Sequence, residues 1–416
     1  MNIHTSILFS PFYLKLKILL FSIALFGYGI IASFIYDGST SRLLTLPYRA
    51  FIFLLSILVF LTNINHNNHQ KTSNPGKISL LYFVFIYIFF YSLRLVHDVL
   101  YQDIFREPSE YLLFWFGMCL IPGITFIFLD FKHSQKYLYL SWLLLAIASI
   151  LAIPLILQEQ ASGTFVAQGR LAREALNPIS LGHQGGSLLL ISLYILLNQE
   201  YTKNKLTQNF YILFSFIGLI LLFFASSRGP VIAVSFCFIL YLIRISVQKS
   251  KGNVWKKMGV IIMLIVFANL ALSFALDSGS SLIERFSSTA NDFDSSRFVQ
   301  RPELYQTAIE LIAKHPIFGY GLELPGVGYP HNIILEAFLA TGVVGGFLFL
   351  ILYIYAAIKA LRIIMYENNP WGWLGIIYIQ YAIAGMFSGS LYNSYMFWYL
   401  FFAICGWKKL NTVPEQ

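Results

Sequence analysis

Stretches of about twenty consecutive apolar residues recur from one end of this chain to the other, and no other feature constrains its fold as strongly. Each is long enough to cross a hydrocarbon core of roughly 30 Å as a helix, and a backbone inside lipid has to satisfy its own hydrogen bonds. The pattern predicts twelve spans: 16–36, 48–62, 78–96, 111–130, 137–157, 178–197, 209–225, 229–247, 257–276, 331–356, 371–388 and 391–407. Composition agrees, with 57% hydrophobic residues, 11% charged residues and a mean hydropathy of +0.68. The expected fold is an all-α polytopic membrane protein, read as one integral membrane domain over 1–416. Span 48–62 is short, with room to extend over Leu43 to Tyr48. The last two spans are divided only by the Ser388–Asn393 neighbourhood, which suits a hairpin. The first run lacks a small-residue cleavage site and reads as a retained helix. Cys119, Cys237 and Cys405 sit inside apolar runs as core residues, which suggests neither a disulfide framework nor a thiolate metal site.

The formal charge of +9 does not indicate a nucleic-acid partner, because the chain has no basic soluble domain and its charge belongs to short loops. With twelve spans both termini lie on one side. The loops on that side hold seventeen of the 28 basic residues, nearly all lysine, among them Lys132, Lys136, Lys203 and Lys256. The other side holds the remaining eleven over far more loop sequence, so both termini are expected to be cytoplasmic. Ten of those eleven are arginine, whose fork matches phosphate and carboxylate bidentately. Arg94 and Arg106 have acids nearby in sequence to pair with. Arg228, in Ser226-Ser227-Arg228-Gly229-Pro230, has none; an anion site beside a helix N-terminus and simple snorkelling to the interface are the competing readings.

The longest interruption, 277–330, separates spans nine and ten on the arginine-rich side. Its 278–296 part is Ser/Asp-rich and reads as a mobile rim. Residues 301–314 carry apolar side chains at Leu304, Ala308, Leu311 and Ile312, the spacing of an amphipathic surface helix. A glycine-rich strip follows Pro316, and the next helix is expected to start at Pro330 with His331 in its first turn. Such a loop over a bundle suits a lid or substrate platform. A neutral His331 there is suited to proton abstraction, against the blander reading of an interfacial histidine. Glu336 lies further along the same helix, placed either to orient His331 or to pair with another span. In the 158–182 loop stand Arg170 and Arg173, and Gly182-His183-Gln184-Gly185-Gly186 permits close helix packing or a helix break, with His183 facing a cavity or making a structural hydrogen bond.

Three motifs stand together: Ser227-Arg228-Gly229; Arg301-x-x-x-Tyr305-x-x-Ala308 leading to His315-Pro316-Ile-Phe-Gly319-Tyr-Gly321; and His331-Asn332-x-x-Leu335-Glu336 leading to Thr341-Gly342-Val-Val-Gly345. Their combination resembles the O-antigen ligase and O-antigen polymerase superfamily of bacterial envelope glycosyltransferases, closely over 226–346 and loosely over the first five spans. The resemblance implies a GT-C-like fold in the inner membrane with a periplasmic active site. It further implies metal-independent inverting transfer without a cofactor, a glycan donor on undecaprenyl diphosphate, and a glycan or lipid A-core acceptor. By motif, His331, Arg228 and Arg301 are the expected catalytic residues, with Arg297 competing with Arg301. Arg170, Arg173, Tyr305, Asn332, Glu336 and His183 are the expected substrate-binding residues, and a chain-length regulator is a further partner. A polymerase joins repeat units on carrier lipids; a ligase moves the finished glycan to lipid A-core. The polymerase is preferred because no sequence feature marks a lipid A-core docking surface. A transporter or flippase would place charged residues in broken helices near the midplane, whereas these polar groups gather at the outer boundary.

Overall fold

The computed structural model describes residues 11–35, 38–67, 75–163, 176–198, 204–247, 254–291, 301–366 and 369–408. Helices α1 (Pro11–Ala32), α2 (Gly38–Asn67), α3 (Pro75–Tyr101) and α4 (Pro108–Phe128) are followed by α5 (Ser134–Ala161), α6 (Pro178–Leu197), α7 (Lys205–Phe224), α8 (Arg228–Val247) and α9 (Val254–Asp277). Then come α10 (Leu282–Asn291), α11 (Arg301–Lys314), α12 (Ile333–Met365), α13 (Gly372–Phe387) and α14 (Tyr395–Gly406). Among the described residues ten helices are long and apolar enough to cross a membrane, and α13 and α14 are shorter apolar helices. All twelve expected spans correspond to apolar helices, although ten rather than twelve have spanning length. The second extends to Gly38–Asn67 with Pro47 inside it, so the short expected span was an underestimate. The π-helical turn Leu113–Leu120 lies within α4.

Helix α6 occupies the centre of the bundle, with 83% of its spanning window buried against 17% for α9. Its glycines explain how. A β-carbon on Gly185 would lie 2.6 Å from the Gly218 carbonyl, one on Gly218 equally close to the Gly185 carbonyl, and one on Gly182 2.8 Å from Pro230. Small residues let the backbones of α6, α7 and α8 approach closely, so Gly182–Gly186 packs helices and does not break one. Bulky aromatics fill the rest: Trp115, Trp373, Trp398, Tyr87 and Tyr378 are fully buried.

Helix α12 is interrupted at Gly342, whose φ of 67° and ψ of −167° belong to a region that only glycine occupies readily. The segment Pro316–Gly321 passes through the interruption. Val343 N–H donates to the Pro316 carbonyl at 2.7 Å, while Tyr320 and Gly321 N–H donate to the Leu339 carbonyl at 2.8 and 3.2 Å. Backbone groups freed by the break are thus paired by a second stretch of chain, as the low-dielectric interior demands. Gly319 is also left-handed (φ 76°), and a β-carbon there would strike Leu339 and Gly342 backbone atoms. The two glycine-rich motifs of the sequence are therefore two halves of one interlock.

The strip after Gly319 is fixed at its other side. Asp98, 1% exposed, binds Arg94 at 3.0 Å and accepts the Leu322 N–H at 2.8 Å, and Arg94 also donates to the Tyr320 carbonyl. Glu323 accepts from Phe105 N–H at 2.7 Å and from the Tyr111 hydroxyl. Arg94 and Arg106 do pair with acids, Arg106 with Glu110 at 3.3 Å. Helix α11 buries Leu304 and Ala308 against Leu324 and Leu339, with Tyr305, Leu311 and Ile312 alongside. The amphipathic face read from the sequence is real, but it docks on protein instead of lying on a lipid surface. Of the 278–296 rim, residues 282–291 form α10 and 292–296 lie outside the described residues.

Candidate active site

Helix α13 ends at Phe387, and the three motifs meet around that end. A β-carbon on Gly385 would lie 2.7 Å from Ile333, two residues after His331. One on Gly229, next to Arg228, would lie 3.7 Å from Phe387. The Tyr305 hydroxyl donates to the Met386 carbonyl at 3.5 Å, and position 301 is one turn before Tyr305 on the same face of α11. Residues 385–387 thus join the arginine turn, the loop helix and the histidine segment.

His331 does not sit in the first helical turn. Asn332 is the N-cap of α12: its side-chain oxygen accepts the N–H groups of Ile334 and Leu335, both at 3.0 Å, so the helix starts at Ile333. Pro330 is therefore not at N1, and the Asn332 side-chain oxygen is engaged in capping. His331 precedes the cap in left-handed backbone (φ 56°), uncommon for a residue with a side chain and found preferentially at functional sites. That conformation turns the chain sharply between the docked strip and α12, and it seats the imidazole against the Tyr329 ring at 4.5 Å. Burial raises the pKa of Tyr329, which keeps its hydroxyl neutral.

Glu336 does not orient His331. It is fully buried, taking the Tyr91 hydroxyl at 3.0 Å and the Leu391 N–H at 2.9 Å. The carboxylate ties α12 to α3 and to the turn between α13 and α14, which is the pairing with another span. Arg228 opens α8 and donates to the Arg285 carbonyl at 2.9 Å; Arg285 in turn donates to the Ser226 carbonyl at 3.2 Å. Ser226 is left-handed (φ 46°) and bonds Ser280 at 2.6 Å. Two guanidinium groups therefore share one tight turn at the positive end of a helix, an arrangement suited to an anion. Arg285 was not singled out in the sequence because α10 had read as a mobile rim. Arg170, Arg173 and Arg297 lie outside the described residues, as does the side chain of Arg301.

Beside Tyr329 lies a cavity of about 360 Å³, bounded by α1, α2, α4, α6, the end of α13 and the turn that follows it. His183 faces it and is 5% exposed. Gln184, Ser390, Arg49 and Tyr381 also line it, none of them expected from the sequence as a site residue. Gln184 carried a legible signal, a polar residue within an apolar span, where such groups are costly and usually functional. Among the described residues no group of three His, Cys, Asp or Glu side chains is placed to hold a metal ion.

Residues 213–350 match the sequence model of the O-Antigen ligase family, 138 of the 416 residues. No curated protein matches the chain. The matched stretch contains Arg228, Arg301 and His331 together with the Gly319–Gly342 interlock, and on it the chain is similar to the O-Antigen ligase family.

Proposed function

We propose that this protein transfers a glycan from undecaprenyl diphosphate to an acceptor sugar hydroxyl at the periplasmic face of the bacterial inner membrane, as an inverting, metal-independent enzyme of GT-C type. The supporting observation is the meeting of the Arg228, Tyr305 and His331 segments around residues 385–387, beside a polar cavity. Neutral His331 takes the proton of the acceptor hydroxyl as its oxygen attacks the anomeric carbon. The bond from that carbon to the diphosphate oxygen breaks, and Arg228 and Arg301 stabilise the negative charge on the departing carrier diphosphate. Asn332 and Glu336 act by fixing the start of α12. Of the two acceptors we favour a second carrier-linked repeat unit, which makes the enzyme a polymerase that works with a chain-length regulator. Ligation to lipid A-core is the second reading, favoured by the description of the matched family.

Purified protein in nanodiscs, given carrier-linked repeat unit alone, is expected to make a ladder of products; a ligase stays silent until lipid A-core is added. Arg228→Lys and Arg301→Lys each lower turnover by about 10²- to 10³-fold, the typical effect of removing a donor to developing negative charge. His331→Ala abolishes transfer while carrier binding persists. Chelation leaves the rate unchanged. Near-normal turnover in both arginine variants sinks the diphosphate role, and an active His331→Ala protein removes the base.

A further inference from the structure

The cavity beside Tyr329 has a chemistry distinct from that of the arginine turn. Among the described residues that line it, Arg49 is the one side chain with a full charge, and its guanidinium lies over the Phe114 ring at 4.5 Å. The rest of the polar lining is amide, hydroxyl and imidazole. Three of these groups, His183 Nε2, Gln184 Nε2 and Ser390 Oγ, are buried and make no hydrogen bond among the described residues. Their residues are 5%, 8% and 2% exposed. An unmatched buried polar group costs about 1–3 kcal/mol, so three of them on residues that line one cavity call for partners that a ligand can supply.

The donor character of His183 is set by its neighbours. Ser187 donates to Gln380 Oε1 at 2.9 Å, which turns the Gln380 amide nitrogen toward His183, 3.1 Å from its carbonyl and 3.4 Å from Nδ1. Nδ1 therefore accepts, and the proton resides on Nε2, which has no hydrogen-bond partner among the described residues. Tyr381 flanks the imidazole, ring centroids 5.3 Å apart. Gln184 is held by shape: a β-carbon on Gly29 would collide with its side-chain oxygen, so only glycine leaves room for the amide. Neutral N–H donors, a hydroxyl and aromatic faces around about 360 Å³ suit a hydroxyl-rich, uncharged ring and not a diphosphate.

We infer that this cavity is a sugar-binding subsite, in which His183, Gln184 and Ser390 bind ring hydroxyls and hold an uncharged sugar beside His331. This rests on the glycan-transfer reading for the identity of the sugar, but not on which acceptor is used. The probe is the oligosaccharide released by mild acid from the host's own carrier-linked pool, titrated by calorimetry into the full-length protein in nanodiscs. Gln184→Met and Ser390→Ala keep volume and remove one group each. Each is expected to weaken oligosaccharide binding by roughly 3- to 10-fold, the effect of losing one neutral hydrogen bond. Gly29→Ala, which displaces the Gln184 amide without touching its chemistry, should reproduce the Gln184→Met effect.

Wild-type affinity in Gln184→Met and Ser390→Ala, with transfer activity intact, overturns the subsite and leaves the enzyme reading standing. Binding that is lost in the variants while no transfer is found in wild type supports the subsite and overturns the enzyme reading. Displacement of the oligosaccharide by inorganic pyrophosphate overturns the assignment in favour of an anion site. If a variant fails to elute as a monodisperse species, Gly29→Ser, which intrudes on the same amide, takes its place, and the same affinity loss is required.

Discussion

Replacing Gly342 with alanine tests the interlock between the loop and α12. Alanine at φ 67°, ψ −167° costs about 1–3 kcal/mol for the backbone conformation alone. Its β-carbon would also press on the Ile317 and Pro316 backbone carbonyls, where no flexible side chain can yield. Moving that strand disturbs three hydrogen bonds, from Val343, Tyr320 and Gly321, each worth about 0.5–1.5 kcal/mol. The sum is about 3 to 7 kcal/mol, concentrated where the chain turns toward His331. Gly326 is the internal comparison: it too is left-handed (φ 71°), but nothing lies within 4 Å of a β-carbon there, so only the conformational cost of about 1 kcal/mol applies. In detergent, Gly342→Ala should lower the thermal unfolding midpoint by several degrees and expose the 316–330 strip to protease, with transfer lost; Gly326→Ala should behave almost as wild type. Equal shifts in the two variants would refute the interlock.

Asp98→Asn leaves Arg94 without its carboxylate and weakens the bond to Leu322, so proteolysis within 319–330 should speed up several-fold while the helical circular dichroism stays unchanged. Glu336→Leu removes both acceptors of a buried carboxylate and strands the Tyr91 hydroxyl and Leu391 N–H, a loss of about 2–4 kcal/mol read as lowered thermal stability. Its conservative partner Glu336→Gln should retain most of that stability; equal losses in both variants argue against the hydrogen bonds as the cause. For topology, cysteines at the exposed positions Gln135 and Ser287 should label from opposite faces of the membrane, Ser287 from the periplasm; labelling from one face removes the proposed orientation.

The helices were legible because lipid-facing and core residues are both apolar and a run of twenty needs no partner to be recognised. The α11 face was legible too, in the spacing of Leu304, Ala308 and Leu311. Its partner was not, since periodicity shows that a face is buried without showing against what. The docked strip depends on bonds between Asp98 and Leu322 or Phe105 and Glu323, more than two hundred positions apart, which no local pattern encodes. The start of α12 was misread in an instructive way. Pro330 satisfies the rule for a first helical residue, but Asn332 satisfies the capping rule two positions later, and the cap prevails because it pairs two N–H groups. His331 thereby falls outside the helix, where its unusual backbone is possible.

The shortness of α13 and α14 sets how deep the site lies. Sixteen and twelve residues reach about 24 and 18 Å, against about 30 Å of hydrocarbon. Their far ends are tied down: before α13, Trp371 donates to the Phe131 carbonyl at 2.8 Å and Ser134 to the Pro370 carbonyl at 2.6 Å, and at the end of α14 Lys359 donates to the Cys405 carbonyl at 2.8 Å. The turn joining them, which lines the cavity, is therefore reached in less than one hydrocarbon thickness of helix. Under the proposed function, a head group on an isoprenoid tail would not have to be lifted out of the bilayer to reach that turn. On that reading it is the sugars that would travel, from the aqueous side toward the cavity.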